Sequence, residues 1–395
     1  MLRWWLPFVA VFAASFLVTL ATTPVARRIA WRLRAVDYPA ARRVNKRPVP
    51  RMGGIAVICG LVAGELVQAL GVTYLGWPRV FVPSARQTVN YWLLFLSFLV
   101  IFVTGLVDDK FTLTPRQKLL GQVVASVIAV ASGLAIDEIV NPLQNSVIHL
   151  GIAAMPITVV FLVAYTNIFN LIDGLDGLAS GIACIAGLTM WIVSTISGRL
   201  DAAVLAIMIA GTTLAFLRYN FNPASIFLGD SGALLIGFAL GTVSLLSVSR
   251  VAGLTAIIIP LVVAGIPIID TFSAIVRRGR AHVSIGHADK GHIHHRLMSV
   301  GLGQRQTALV IYAWTAALCV GSVVMTQVEV FPRVCIFVAL VVASGVFASR
   351  LRLFRPVLLH HRDPKTGEDE LVCPQDPAFE QEREKFDEQH HTLGE

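Results

Sequence analysis

Long apolar runs recur through this chain, and they limit its fold more than any other feature. Segments near residues 4–23, 53–72, 90–107, 119–136, 152–168, 178–197, 202–217, 232–248, 253–275, 307–325 and 332–349 are each dominated by aliphatic and aromatic side chains. Their boundaries are good to about four residues. A helix crosses a bilayer core with about 20 such residues, and in lipid a helix satisfies its own backbone hydrogen bonds. Only 14% of the residues are charged, against 55% hydrophobic, where a soluble domain carries about 25% charged residues. That leaves too little polar surface to cover a water-facing globule. The expectation is an all-α polytopic membrane protein with about eleven transmembrane helices. The first run ends in Thr22-Thr23-Pro24 and a dense basic stretch, which suits a first membrane helix better than a cleaved signal peptide.

Lysine and arginine set the expected orientation, because cytoplasmic loops collect them. With the N-terminus outside, the inner loops 24–51, 108–118, 218–231, 276–306 and 350–355 hold 22 basic residues and the outer side holds 6. The C-terminus is then cytoplasmic. Residues 1–355 form the expected transmembrane domain with its cytoplasmic loops, and 356–395 a polar acidic tail, flexible or loosely helical. From Arg362 onward the tail has 11 acidic and 4 basic residues, so the remainder of a +8 chain carries +15. Such a basic membrane body suits lipid headgroups and an anionic substrate. Nucleic acid is a poor partner, since no soluble domain presents the charge. Five cysteines occur without a C-x-x-C spacing, which favours reduced structural thiols over a metal or redox centre.

Acidic residues at helix ends are costly to desolvate and mark functional candidates in membranes. Asp108, Asp109, Asp173, Asp176 and Asp230 all fall at inner ends of the expected spans, while Asp270 lies deep in the ninth. Asp108-Asp109-Lys110 closes the third span. Adjacent carboxylates repel unless a cation or proton intervenes, and on a helix they diverge by about 100°, which implies different jobs. Asn167-Ile-Phe-Asn170-Leu-Ile-Asp173-Gly-Leu-Asp176-Gly follows the fifth span, with two acids three residues apart and glycines that permit close approach. Asn220-Phe-Asn222-Pro-Ala-Ser-Ile-Phe227-Leu-Gly229-Asp230-Ser231 precedes the eighth span, where Asp230 or Ser231 could also be a plain helix cap. A fourth inner loop carries Arg277, Arg278, Arg280, His282, His287, Lys290, His292, His294, His295 and Arg296. Zinc is one partner for such histidines, and a nucleotide diphosphate is the more natural one. The first inner loop, Arg42 to Gly54, suits anionic lipid and phosphate alike.

Clustered carboxylates can hold Mg2+, a hard ion that prefers oxygen ligands and substrate phosphates. Clustered cations can hold the rest of a diphosphate. Phosphoryl transfer needs metal, charge neutralisation and a positioned nucleophile. A site at the cytoplasmic bilayer surface would let a water-soluble nucleotide donor meet a lipid acceptor. A transporter is the competing class, but it would place its ionisable groups near the midplane, where only Asp270 is expected.

Five stretches together resemble the polyprenyl-phosphate N-acetylhexosamine-1-phosphate transferases (glycosyltransferase family 4): Pro48-Val-Pro-Arg-Met-Gly-Gly54, Gly105-Leu-Val-Asp-Asp-Lys110, Asn167 to Ala179, Asn220 to Gly232, and Ala288-Asp-Lys-Gly-His-Ile-His-His-Arg-Leu297. The family has two branches. The muramoyl-pentapeptide branch typically ends its last loop in Pro-Ile-His-His-His-Phe. The UDP-N-acetylglucosamine branch reads Asp-Lys-x-His-x-His-His-Arg-Leu, as Asp289 to Leu297 do, with Arg305-Gln306 following. The resemblance therefore implies transfer of N-acetylglucosamine-1-phosphate from UDP-GlcNAc to undecaprenyl or another polyprenyl phosphate, at the inner membrane of a bacterium. It also implies Mg2+, with Mn2+ as a substitute, and leaves room for a homodimer.

By the same resemblance, Asp230 matches the magnesium ligand, and Asp108 and Asp109 the pair that contacts or activates the acceptor phosphate. Asn170, Asp173 and Asn220 match polar groups of the catalytic cleft, with Asp173 among the catalytic acids. Gly174, Leu175, Asp176 and Phe227 match the uridine pocket. Lys46 matches a cleft lysine, and Arg51 stands where the muramoyl branch has threonine. His292, His294 and His295, with Arg296, match the loop near the diphosphate and sugar. Arg277 to Arg280 and the acidic tail find no counterpart.

Overall fold

The computed structural model describes residues 5–39, 47–78, 89–141, 146–248, 255–283, 291–363, 367–374 and 376–391. Among them, nine helices are long and apolar enough to cross a membrane: α1 (Leu6–Arg32), α2 (Gly54–Tyr74), α3 (Tyr91–Phe111), α5 (Ala154–Ile172, entered through a 3-10 turn), α6 (Leu178–Ile196), α7 (Leu200–Asn220), α8 (Gly229–Val248), α12 (Gln304–Gln327) and α13 (Val330–Arg350). Two of the eleven expected spans differ. The fourth is the 17-residue helix α4 (Pro115–Ala131), which stops at Ser132 before Gly133 in a left-handed conformation. The ninth is two helices, α9 (Thr255–Val263) and α10 (Gly265–Arg280). Pro267 lacks the N–H that would bond to the carbonyl of Val263, and its ring crowds that carbonyl, so the ladder breaks there.

The chain divides into two compact units. The first spans Met1–Pro267 and Gln304–Val338. In it, α1, α2 and α7 pack together, α6 lies between α7 and α12, and α8 touches α2, α3, α5, α6, α7 and α9. Helix α8 is thus the central element: 89% of its apolar window is buried, against 6% for α13. A helix that is apolar all round belongs inside a bundle.

The second unit spans Ile268–Gly303 and Ala339–Glu395. It contains most of α10, the short helix α11 (Ile293–Ser299), the end of α13, and the tail. The tail, expected to be flexible or loosely helical, has a hairpin and a helix among its described residues. Strands Leu359–Arg362 and Asp369–Val372 pair antiparallel, and helix α14 (Pro377–His391) covers them. Leu359, Val372 and Phe379 form a small buried core with Ala378 and Phe386 against it. Apolar residues so widely spaced leave the mean hydropathy low, yet the hairpin brings them together.

Candidate active site

Helix caps place the site. Asn90 caps the start of α3 by accepting from Trp92 N (3.1 Å) and Leu93 N (3.3 Å). At the other end Thr112 turns left-handed, and Thr114 with Gln117 forms a capping box that starts α4. This tight turn brings Lys118, in the first turn of α4, back beside the acids that end α3.

The two acids do different things, as their divergence on the helix requires. Asp108 Oδ1 accepts from Leu113 N (2.7 Å) and Oδ2 pairs with Lys118 Nζ (3.0 Å). Asp109 is fully buried. Its Oδ1 accepts from Asp230 N (2.8 Å), and its Oδ2 from Ser231 N (3.1 Å) and Ser231 Oγ (2.6 Å). It therefore caps the N-terminus of α8 from another helix, satisfying amides that α8 leaves open and placing a negative charge at the positive end of its dipole. Gly229 makes this approach possible. It has φ +71°, and an added Cβ would lie 2.6 Å from an Asp109 carboxylate oxygen.

Asp230 is held from the side. Its Oδ1 accepts from Asn170 Nδ2 (2.8 Å) and from the Lys118 ammonium, which bridges Asp230 and Asp108. Asn170 is fixed on α5, which the reciprocal amide pair Asn167–Gln122 ties to α4. Asp173 caps the C-terminus of α5, and its carboxyl is held well above the usual carboxylate range. Burial is the main cause, with the charges of Asp230, Asp109 and Asp176 adding to it and Lys118 opposing them.

The remaining predicted residues fall in different places. Asp176 Oδ2 accepts from Asn222 Nδ2 and Ala224 N, both at 3.0 Å, so that oxygen fixes the turn before Asp230. Asn220 is buried: its Oδ1 accepts from Ser180 Oγ (2.9 Å) and its Nδ2 donates to Ile226 O (3.1 Å). Both ends of its amide are thus bonded within the protein. Leu175 is buried and Phe227 half-buried. Phe227 N donates to Pro50 O (2.8 Å) and Gly53 N to Phe227 O (3.1 Å), which stitches the first inner loop to the start of α8. In that loop Arg51 donates through Nε to the backbone carbonyl of Asp109 (3.0 Å). Lys46 lies outside the described residues.

The histidines belong to the second unit. Asp270 Oδ2 meets His292 Nδ1 at 2.8 Å, and Asp270 Oδ1 accepts from Ile293 N at 2.7 Å. The deep acid that a transporter would use is thus spent on the start of α11. His294 and His295 rings lie 4.3 Å apart, and His292 stacks on His294 at 6.0 Å. Burial, with His295 and His292 adding to it against Asp270, brings His294 down to about 3, so it is neutral at ordinary pH. Arg296 Nη2 donates to the carbonyl of Arg355 (2.8 Å).

Among the described residues, Lys118 pairs with Asp108 and Asp230, while Asp109 and Asp173 add their charges beside Asp230, and such an excess of negative charge is what a cation would relieve. Among the described residues no group of three or more His, Cys, Asp or Glu side chains is already arranged as a complete metal site. A Mg2+ ion is commonly bound by one or two carboxylates plus substrate phosphates. Asp230 fits the part best: its side chain is 24% exposed, and among the described residues its Oδ2 accepts no hydrogen bond. Lys118 and Ser231 are the partners that sequence reasoning missed. The capping-box pattern Thr114-Pro-Arg-Gln117 was the available signal for Lys118, since it fixes the helix start at Pro115, three residues before it.

A family model described as glycosyl transferase family 4 matches residues 91–248, which include every carboxylate of this cluster. A protein of Bacillus subtilis (strain 168) named probable undecaprenyl-phosphate N-acetylglucosaminyl 1-phosphate transferase is 36% identical over 340 residues, covering 86% of this chain and 91% of its own. A decaprenyl-phosphate N-acetylglucosaminephosphotransferase of Mycolicibacterium smegmatis is 32% identical over 336 residues, 78% of this chain and 79% of its own. A phospho-N-acetylmuramoyl-pentapeptide-transferase of Desulforudis audaxviator is 29% identical over 337 residues, 79% of this chain and 96% of its own. With its apolar helices, its carboxylate cluster and relatives of this similarity along most of their length, the chain belongs to glycosyl transferase family 4.

Proposed function

We propose that this protein transfers N-acetylglucosamine-1-phosphate from UDP-GlcNAc to undecaprenyl or another polyprenyl phosphate, releasing UMP and starting a cell-envelope polysaccharide. The reaction takes place at the cytoplasmic face of a bacterial inner membrane, with the N-terminus outside and the C-terminus inside. The observation that carries the reading is the carboxylate cluster built from α3, α5 and α8 around Lys118. The sugar follows from the sequence Asp289 to Leu297 and from the GlcNAc names of the more similar relatives.

The transfer is a single displacement. An oxygen of the acceptor phosphate bonds to the β-phosphorus of the donor, the bond from that phosphorus to the bridging oxygen breaks, and UMP leaves with the bridging oxygen. A phosphate monoester is largely dianionic at neutral pH, so it is already a nucleophile. Asp108 and Lys118 orient the acceptor phosphate, the lysine exchanging a carboxylate oxygen for a phosphate oxygen. Asp230 would hold Mg2+, with Asn170 fixing the carboxylate; Mg2+ would supply charge neutralisation on the diphosphate. Asp173, whose carboxyl is held by burial above the usual carboxylate range, adds a further acid to the cluster. His294 is neutral, and the resemblance assigns it, with His292 and His295, to the donor's diphosphate and sugar.

A membrane assay with radiolabelled UDP-GlcNAc, polyprenyl phosphate and Mg2+, run beside UDP-MurNAc-pentapeptide, tests this. Labelled lipid and UMP from the GlcNAc donor alone are expected. Product from the muramoyl donor alone would overturn the substrate, and no lipid product from either would overturn the reaction.

A further inference from the structure

Arg277 and Arg280 find no role in the resemblance, yet with Arg296 they share one task in the second unit. Arg277 is 1% exposed. Its Nη1 donates to Leu353 O (2.6 Å) and Ser273 Oγ (3.0 Å). Arg280 Nη1 donates to Phe354 O (3.3 Å), and Arg296 Nη2 to Arg355 O (2.8 Å). Three consecutive carbonyls just past α13 are thus each capped by an arginine from α10 or α11. These carbonyls lie beyond the helix, and each accepts from a charged donor, which makes a stronger bond than a neutral one.

Arg277 also touches the histidine segment. An added Cβ on Gly291 would lie 2.3 Å from Arg277 Nε and 2.7 Å from its Cζ, so the backbone entering His292 rests on the guanidinium. On α10, Asp270, Ser273 and Arg277 follow at spacings of three and four, which places them on one face. Asp270 holds His292 and Ile293, Ser273 Oγ donates to Asp270 O (2.9 Å), and Arg277 joins Ser273 to Leu353.

We propose that Arg277 is a positioning residue for the histidine segment, and that residues 353–355 are the scaffold against which it sets Gly291 and His292. The inference rests on the reading above that these histidines serve the sugar-nucleotide donor. It makes the chain just past α13 part of the donor apparatus, while the hairpin and α14 beyond it are dispensable for turnover.

The test combines donor and acceptor kinetics with amide hydrogen exchange over residues 291–299 in detergent-purified full-length protein. Arg277→Lys keeps the charge but loses the planar fork. It should lower kcat/KM for UDP-GlcNAc on the order of 10- to 100-fold, as a displaced site residue does, leave the acceptor KM unchanged, and speed exchange in 291–299. Gly291→Ala should act in the same direction. Truncation after Arg355 should behave as wild type, and truncation after Arg350 should reproduce Arg277→Lys. Wild-type exchange and donor kinetics in Arg277→Lys would overturn the inference, as would a fully active protein truncated after Arg350. His292→Ala separates the two levels. Loss of donor turnover there, beside a wild-type Arg277→Lys, sinks the inference alone, whereas wild-type donor kinetics in His292→Ala sinks the reading beneath it.

Discussion

Asp109→Asn offers a direct test of how the cluster is built. The carboxylate accepts three hydrogen bonds, from Asp230 N, Ser231 N and Ser231 Oγ, at 2.8, 3.1 and 2.6 Å. Asparagine keeps one acceptor oxygen. Its amide nitrogen then faces the Ser231 N–H, donor against donor, while the serine hydroxyl can rotate to accept. One bond is lost with its buried donor left open, and the others lose their charge. A bond to a charged group is worth about 1.5–3 kcal/mol and a stranded buried donor costs about 1–3 kcal/mol, so the substitution should destabilise by roughly 2–4 kcal/mol, the terms not being additive. At about 2–4 °C per kcal/mol for larger domains, scanning fluorescence in detergent should show unfolding on the order of 5–10 °C lower. Ser231→Ala removes one hydroxyl and should cost about 1 kcal/mol. Turnover should fall with Asp109→Asn because the Asp230 backbone is no longer pinned. An Asp109→Asn protein that melts with wild type but has lost activity would refute the argument, since Asp109 would then act on substrate and not on the α8 terminus.

Asp230→Ala should lose about 10²-fold or more in turnover, the scale of a lost electrostatic contact at a reacting phosphate. It should also lose its response to added Mg2+ while keeping its unfolding temperature; retained Mg2+-dependent activity would remove Asp230 from the metal. Lys118→Met leaves Asp108 and Asp230 without their shared ammonium, so both stability and turnover should fall, and added Mg2+ should restore stability more than turnover. Asp173→Asn tests the raised carboxyl. A folded-state pKa above the unfolded one, about 3.9, means that the native state binds the extra proton, so wild type loses stability as pH rises from there through the folded value. In chelator the variant should therefore melt above wild type at pH 8 and together with it below about pH 4; an equal difference at both would show that charge is not the cause.

The sequence made the membrane class plain, because apolar runs of about 20 residues have few other uses. It did not separate α9 from α10, where the run stays apolar and only Pro267 marks the break. The site's acids stood out, since carboxylates at helix ends need a reason. Their partners did not. Lys118 looks like an ordinary inner-loop cation until the Thr114 capping box swings it beside Asp108. Asn220 resembles a cleft amide in its motif, and the motif does not show the bonds its two ends make with Ser180 and Ile226. The tail's order was hidden for a related reason, as its core rests on three apolar residues that become neighbours only after the hairpin forms.

The cap that Asp109 supplies to α8 joins residues 121 apart in the chain. At roughly 5–20 residues per second of synthesis, α3 emerges about 6–24 s before the amides that its carboxylate will bind. Through that interval the acids of α3 have Lys118 beside them and no α8 terminus, and the reaction centre does not yet exist. It closes only when the helix that most needs neighbours enters among them, so a nascent chain joins its carboxylates and seats α8 in one late event.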